Sequence, residues 1–239
     1  MMVSTKKMLK LVIVISMVMN LMVIDASDAN DVYDPCSDTK VAKLDGFTFG
    51  IAISSKESFF FNQTQLSPCD SRLSLASTAQ LAVFRPKVDE ISLLTINGSS
   101  YSPATNGDHM VAFAGRKYAA RSPPGLITDK SHVITSFTLI LEFQQGTLQN
   151  LFWKRSGCGS CSGKKSFVCL NQQDCAIDVS KCSGSVDCSL GIQLAFSGTD
   201  KNNEVLNSWY EVKNLRQYSL FGLYSNLKDS ILNQFDSLF

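Results

Sequence analysis

His109 and His132 are the only imidazoles in the chain. Imidazole chemistry needs partners at fixed offsets, a Gly-x-Ser-x-Gly elbow for a nucleophilic serine or His-Glu-x-x-His for a metal. Neither pattern occurs, nor does a phosphate-binding glycine-rich loop. Both histidines are expected in polar loops, next to Asp108 and Ser131. Asp200-Lys201-Asn202-Asn203-Glu204 is rich in oxygen, but it lacks the ligand count and the glycine of a calcium loop and reads as a solvated turn. No catalytic residue, metal ligand or cofactor is assigned.

Glycoside hydrolysis needs two carboxylates flanking the scissile bond. Asp89 and Glu90 are adjacent in an expected strand and so face opposite sides. Glu142 lies on one face with Ile134 and Ile140, near a hairpin end where an exposed glutamate is ordinary. A carboxylate-dependent glycan-active enzyme is therefore the rival reading. Sugar binding asks only for rings, because the apolar C–H faces of sugars stack on them while hydroxyls bond polar neighbours. Phe59-Phe60-Phe61, Phe152-Trp153 and Trp209-Tyr210 are the richest sources. In adjacent strand pairs one ring normally points inward, so at least half of these are core; Trp153, Trp209 and Tyr210 are the candidate ligand-binding aromatics.

Eight cysteines fall into a separated pair, Cys36 and Cys69, and a cluster at Cys158, Cys161, Cys169, Cys175, Cys182 and Cys188. Cys158-Gly159-Ser160-Cys161 has the spacing of a zinc knuckle or a redox dithiol, but neither a second ligand pair nor a βαβ unit accompanies it. Disulfides are the expectation, Cys36 with Cys69 and three bridges within the cluster. Asn62-Gln63-Thr64 and Asn97-Gly98-Ser99 fit the N-glycosylation acceptor pattern. Lys154-Arg155 raises one more rival, a precursor cleaved there to release a cysteine-rich signalling fragment.

These readings depend on compartment. Lys6, Lys7 and Lys10 precede an uncharged run over 11–24, and small or polar residues follow, the three-part order of a secretory signal peptide. The run is short of the roughly 20 residues that cross a bilayer. Residues 1–26 are expected to be removed and 27–239 to fold as one secreted domain; an uncleaved signal anchor at the plasma membrane is the alternative. Cleavage after Ala26 takes three Lys from 22 basic residues and one Asp from 21 acidic ones, leaving 19 against 20, a net of −1. Such a balance provides no field for phosphate backbones, so nucleic acid is excluded as a partner.

The positioning elements are mostly strands. Phe47, Phe49, Ile51 and Ile53 alternate with small or polar residues at period two. Similar runs span 81–84, 88–96, 110–114, 133–143 and 192–196, with another at 209–212, and Gln145-Gly146 joins 133–143 to 148–153 in a hairpin. Short strands separated by turn residues indicate a mainly β, antiparallel sandwich or jelly roll, with 156–189 as a disulfide-rich insertion. Leu220, Tyr224, Leu227, Ile231, Phe235 and Leu238 recur at helical spacing, so one amphipathic helix is expected at the C-terminus.

Five stretches, Asp45-Gly-Phe-Thr-Phe-Gly50, Phe84-Arg-Pro-Lys-Val-Asp-Glu-Ile91, Phe113-Ala-Gly-Arg-Lys-Tyr-Ala119, Cys169-Leu-Asn-Gln-Gln-Asp-Cys175 and Asn207-Ser-Trp-Tyr-Glu-Val-Lys-Asn-Leu215, together resemble a plant family of secreted cysteine-rich proteins catalogued as expressed-protein precursors or transmembrane proteins. The resemblance implies a land-plant source and delivery to the apoplast or plasma membrane. It implies no activity. The sequence thus points to a non-enzymatic secreted glycoprotein of the cell wall or surface, with wall polysaccharide or an extracellular protein as its partner.

Overall fold

The computed structural model describes residues 28–97, 107–116, 120–155, 157–161, 167–182 and 188–215. The expected signal peptide and the amphipathic pattern over 220–238 lie outside them. In chain order the strands are β1 (Phe49–Ser54), β2 (Phe60–Phe61), β3 (Thr64–Gln65), β4 (Gln80–Phe84), β5 (Ser92–Ile96), β6 (His109–Ala114), β7 (Ala120–Arg121), β8 (Gly125–Leu126), β9 (His132–Ile134), β10 (Ser136–Gln144), β11 (Thr147–Lys154), β12 (Phe167–Leu170), β13 (Asp174–Asp178), β14 (Leu190–Thr199) and β15 (Val205–Leu206). Among the described residues one α-helix, α1, spans Ser208–Leu215. The chain is mainly β, built on antiparallel sheets and four disulfides.

Two sheets carry the main core. The first runs β4-β1-β6-β7, with β8 also paired to β6; the second runs β11-β10-β14-β15, with β5 also paired to β14. Phe49, Ile51 and Ile53 of β1 face Leu139, Leu141 and Phe143 of β10 in one buried cluster, and Phe47 meets Phe143 edge to face at 5.0 Å. The other face of β1 is buried too, because Ala52 joins Phe59, Leu73, Leu75, Val111 and Phe113 under the 55–79 segment. Gly50 makes that second layer possible: a Cβ there would lie 2.3 Å from the Phe113 ring. The Cys36–Cys69 bridge closes the layer.

The expected hairpin is β10–β11, turned through Gln145 and Gly146 at φ 50° and 75°, the type I′ geometry that matches strand twist. The expected strand over 133–143 divides at Thr135, where β9 pairs with β13 and β10 joins the second sheet. β10 and β14 are parallel, in register from Ser136↔Gly191 to Phe143↔Gly198, the exception among antiparallel pairs. Parallel neighbours need a crossover of a dozen residues or more; β11 and the cysteine-rich excursion supply it.

Two expectations need correction. The strand over 88–96 begins only at Ser92, since Asp89 turns at φ 68°. The run 209–212 is helical, not extended, as part of α1; four residues cannot distinguish the two periods. Ser208 is buried and its Oγ accepts from the Phe196 amide at 2.8 Å, which seats the helix on β14.

Candidate functional site

The described part of the insertion over 156–189 is cross-linked within itself by three disulfides and joined to the sheets by the pairing of β13 with β9. Cys158 and Cys161 open a 3₁₀ turn and bond to Cys169 and Cys175 in β12 and β13, while Cys182 bonds to Cys188. Cys169 and Cys175 face each other directly across the hairpin, yet each is bridged back to the turn. No cysteine is free, so the Cys158–Cys161 spacing holds neither a dithiol nor a metal. Among the described residues no helix is long and apolar enough to cross a membrane, and no group of His, Cys, Asp and Glu gathers as a metal site.

β13 lies against β9 at the end of β10 and β11. That junction makes a narrow cleft lined by Gly125, Ser136, Thr138, Trp153, Arg155 and Asp174. Trp153 and Lys154 are consecutive in a strand and stand on opposite sides. Trp153 turns to the core and meets Phe137 edge-on at 5.8 Å. Its indole lies on Gly125, where a Cβ would come within 3.1 Å of Nε1. Nε1 is buried and finds no acceptor among the described residues, although an indole N–H normally has one when buried. Arg155 pairs with Asp174 at the rim.

Lys154 also borders the cleft, and its Nζ lies over the Trp209 ring at 5.7 Å from the centre. Trp209 therefore lies on the Lys154 side of β11, opposite the side to which Trp153 turns. Tyr210 is 61% exposed and stands apart from the cleft lining. Phe59 is core and Phe60 packs against it, while Phe61 is exposed. Asn62 and Asn97 are both exposed.

The acidic candidates have other work. Glu142 accepts from Asn150 at 3.1 Å and has Asn150 and Ser197 as strand neighbours, with no second carboxylate in either position. Asp89 does not share a strand with Glu90. Its carboxylate is buried, accepts the Asn207 and Ser208 amides at 2.8 Å each and pairs with Lys43 at 2.8 Å, so it caps α1 from 118 residues away. That hydrogen bond raises the Lys43 ammonium above its usual range. Asp200 is fully buried rather than solvated and accepts the amides of Lys43, Asn202 and Glu204. Burial pushes its carboxyl up, but these three amides and Lys201 together hold it below 3.8. The histidines stand at the starts of β6 and β9 rather than in free loops, paired with Asp108 and Asp129.

Fold and site together define a disulfide-bonded β-sandwich protein with a small polar cleft beside an indole. Over residues 6–133 and 122–235 the chain matches the model of the family described as Uncharacterised protein DDB_G0273449, and it belongs to that family. No curated protein and no solved structure matches it.

Proposed function

We propose that this is a non-enzymatic extracellular glycoprotein of the plant cell wall or surface that binds an uncharged polysaccharide at the Trp153 cleft. The carrying observation is the buried Trp153 Nε1, which has no acceptor among the described residues, at a cleft bordered by Ser136, Thr138, Lys154 and the Arg155–Asp174 pair. The cleft has room for about one water molecule, so a sugar ring lies across its mouth and one hydroxyl enters to accept from the indole. Four disulfides with no free thiol support an oxidising compartment, and the order of residues 1–26 supports secretion. Loss of residues 1–26 would leave a net charge of −1, which favours a neutral chain over an acidic one.

The test is retention of the full chain on arrays and columns of neutral and acidic wall polysaccharides, with Trp153→Phe as the probe. That substitution keeps a ring and removes the donor. A neutral polysaccharide should bind the wild type, and the variant should lose roughly five- to tenfold in affinity with its fold intact. Failure to bind any polysaccharide removes the carbohydrate assignment; equal binding by the variant removes this cleft.

A further inference from the structure

A second chemical feature sits at the tip of the β2–β3 hairpin, where Phe61-Asn62-Gln63-Thr64 places an aromatic ring directly before an N-glycosylation acceptor. Asn62 and Gln63 have φ of 46° and 67°, the paired left-handed values of a type I′ turn. Phe61 and Thr64 are thus directly opposite each other, and their side chains share one face of the ribbon. All four residues are exposed. The base of the hairpin is anchored: Phe59 is fully buried, and Gln65 Nε2 donates to the Ser122 carbonyl at 2.7 Å.

Phe61 is 43% exposed and is held from one side by the Arg72 guanidinium, 5.7 Å from its centre. Arg72 is fixed in turn by two hydrogen bonds to Asp70, at 2.9 and 2.7 Å. They hold the Asp70 carboxyl down at about 2, so the pair stays charged through mildly acidic pH. A rigid apolar ring therefore stands open to solvent beside the acceptor amide. Asn97 follows buried Ile96 and has no ring in the corresponding position.

We propose that Asn62 carries an N-linked oligosaccharide whose first N-acetylglucosamine packs its C–H face on Phe61. The co-reactant is an oligosaccharide on a lipid diphosphate. The Asn62 side-chain nitrogen bonds to C1 of the sugar, the C1–O bond to the diphosphate breaks, and the electron pair leaves with the lipid diphosphate. One amide proton is released and no redox change occurs. The stacked sugar then covers the exposed ring and clamps the turn. This inference rests on the extracellular reading above, because the transfer takes place in the secretory lumen.

The experiment uses the full chain expressed in a secreting eukaryotic cell, with Asn62 occupancy read by peptide mass and Tm measured after trimming to one N-acetylglucosamine. Expected are an occupied Asn62 and a Tm about 2–4 °C above that of the Asn62→Gln chain. Phe61→Leu keeps an apolar side chain without the ring face and should erase that difference while Asn62 remains modified; Phe61→Ala gives the same readout if it folds. Secreted protein with bare Asn62 overturns the proposal while leaving the extracellular reading intact. An equal sugar-dependent Tm gain in wild type and Phe61→Leu overturns the stacking. A chain that never enters the lumen overturns both readings.

Discussion

Asp200 shows how much one carboxylate organises. Its three amide donors come from Lys43 and from its own turn, and its folded pKa lies below 3.8. The resulting stabilisation is fully present above that ordinary value and is lost as pH falls through the folded one. Thermal melting against pH should therefore show a steep acid limb that is shallower in Asp200→Asn, and Asp200→Ala should cost roughly 2–3 kcal/mol at neutral pH. Asp89 is the second such residue. Asp89→Ala leaves two helix-start amides and Lys43 without their acceptor and should cost roughly 2–4 kcal/mol by denaturant titration; Asp89→Asn, which keeps an oxygen, should cost less. Neither role was legible in the sequence. Asp89 reads as part of a strand and Asp200 as part of a solvated turn, because their partners are set by tertiary contacts over 118 and 157 residues. The buried indole of Trp153 was legible only as a ring; its missing acceptor appears once Gly125 and the insertion are in place.

At the level of elements, legibility follows length and period. β1 and the β10–β11 hairpin declare themselves by alternation and the turn glycine, and β6 by a short continuous apolar run. β14 declares itself as a strand, yet its parallel direction does not show, since direction depends on where the long excursion through 155–189 returns the chain. α1 is hidden because its visible apolar residues are too few to fix a period. The disulfides can be ranked by the loops they close. In the loop-entropy model, removing Cys36–Cys69, with separation 33, as a double Ser variant should cost about 4 kcal/mol. Removing Cys182–Cys188, with separation 6, should cost about 2 kcal/mol. Denaturant midpoints of the two double variants measure that order, and its reversal would mean that packing around the bridges outweighs loop closure.

For the molecule as a whole, a net charge of +1 over the full chain sets the kind of binding to expect. If the Trp153 cleft recognises sugar through an indole donor and ring faces, retention on a neutral polysaccharide should change little between about 0.01 and 1 M salt, where the screening length shrinks severalfold. A steep loss with salt would point to charge as the binding force. The sandwich class was legible from the many short strands. The two-layered burial of β1 was not, because Gly50 and Ala52 look like interruptions of an apolar face until Phe113 fills the space above them. The insertion has a kinetic side as well. Cys169 stands directly opposite Cys175, six residues away, but the folded pairing is Cys158 with Cys169 and Cys161 with Cys175. The same four thiols can close two shorter loops, Cys158–Cys161 and Cys169–Cys175, and short loops close first. Oxidative folding therefore has a local competitor at its doorstep, and a disulfide isomerase should speed arrival at the native pairing, as refolding of the reduced chain with and without one would measure.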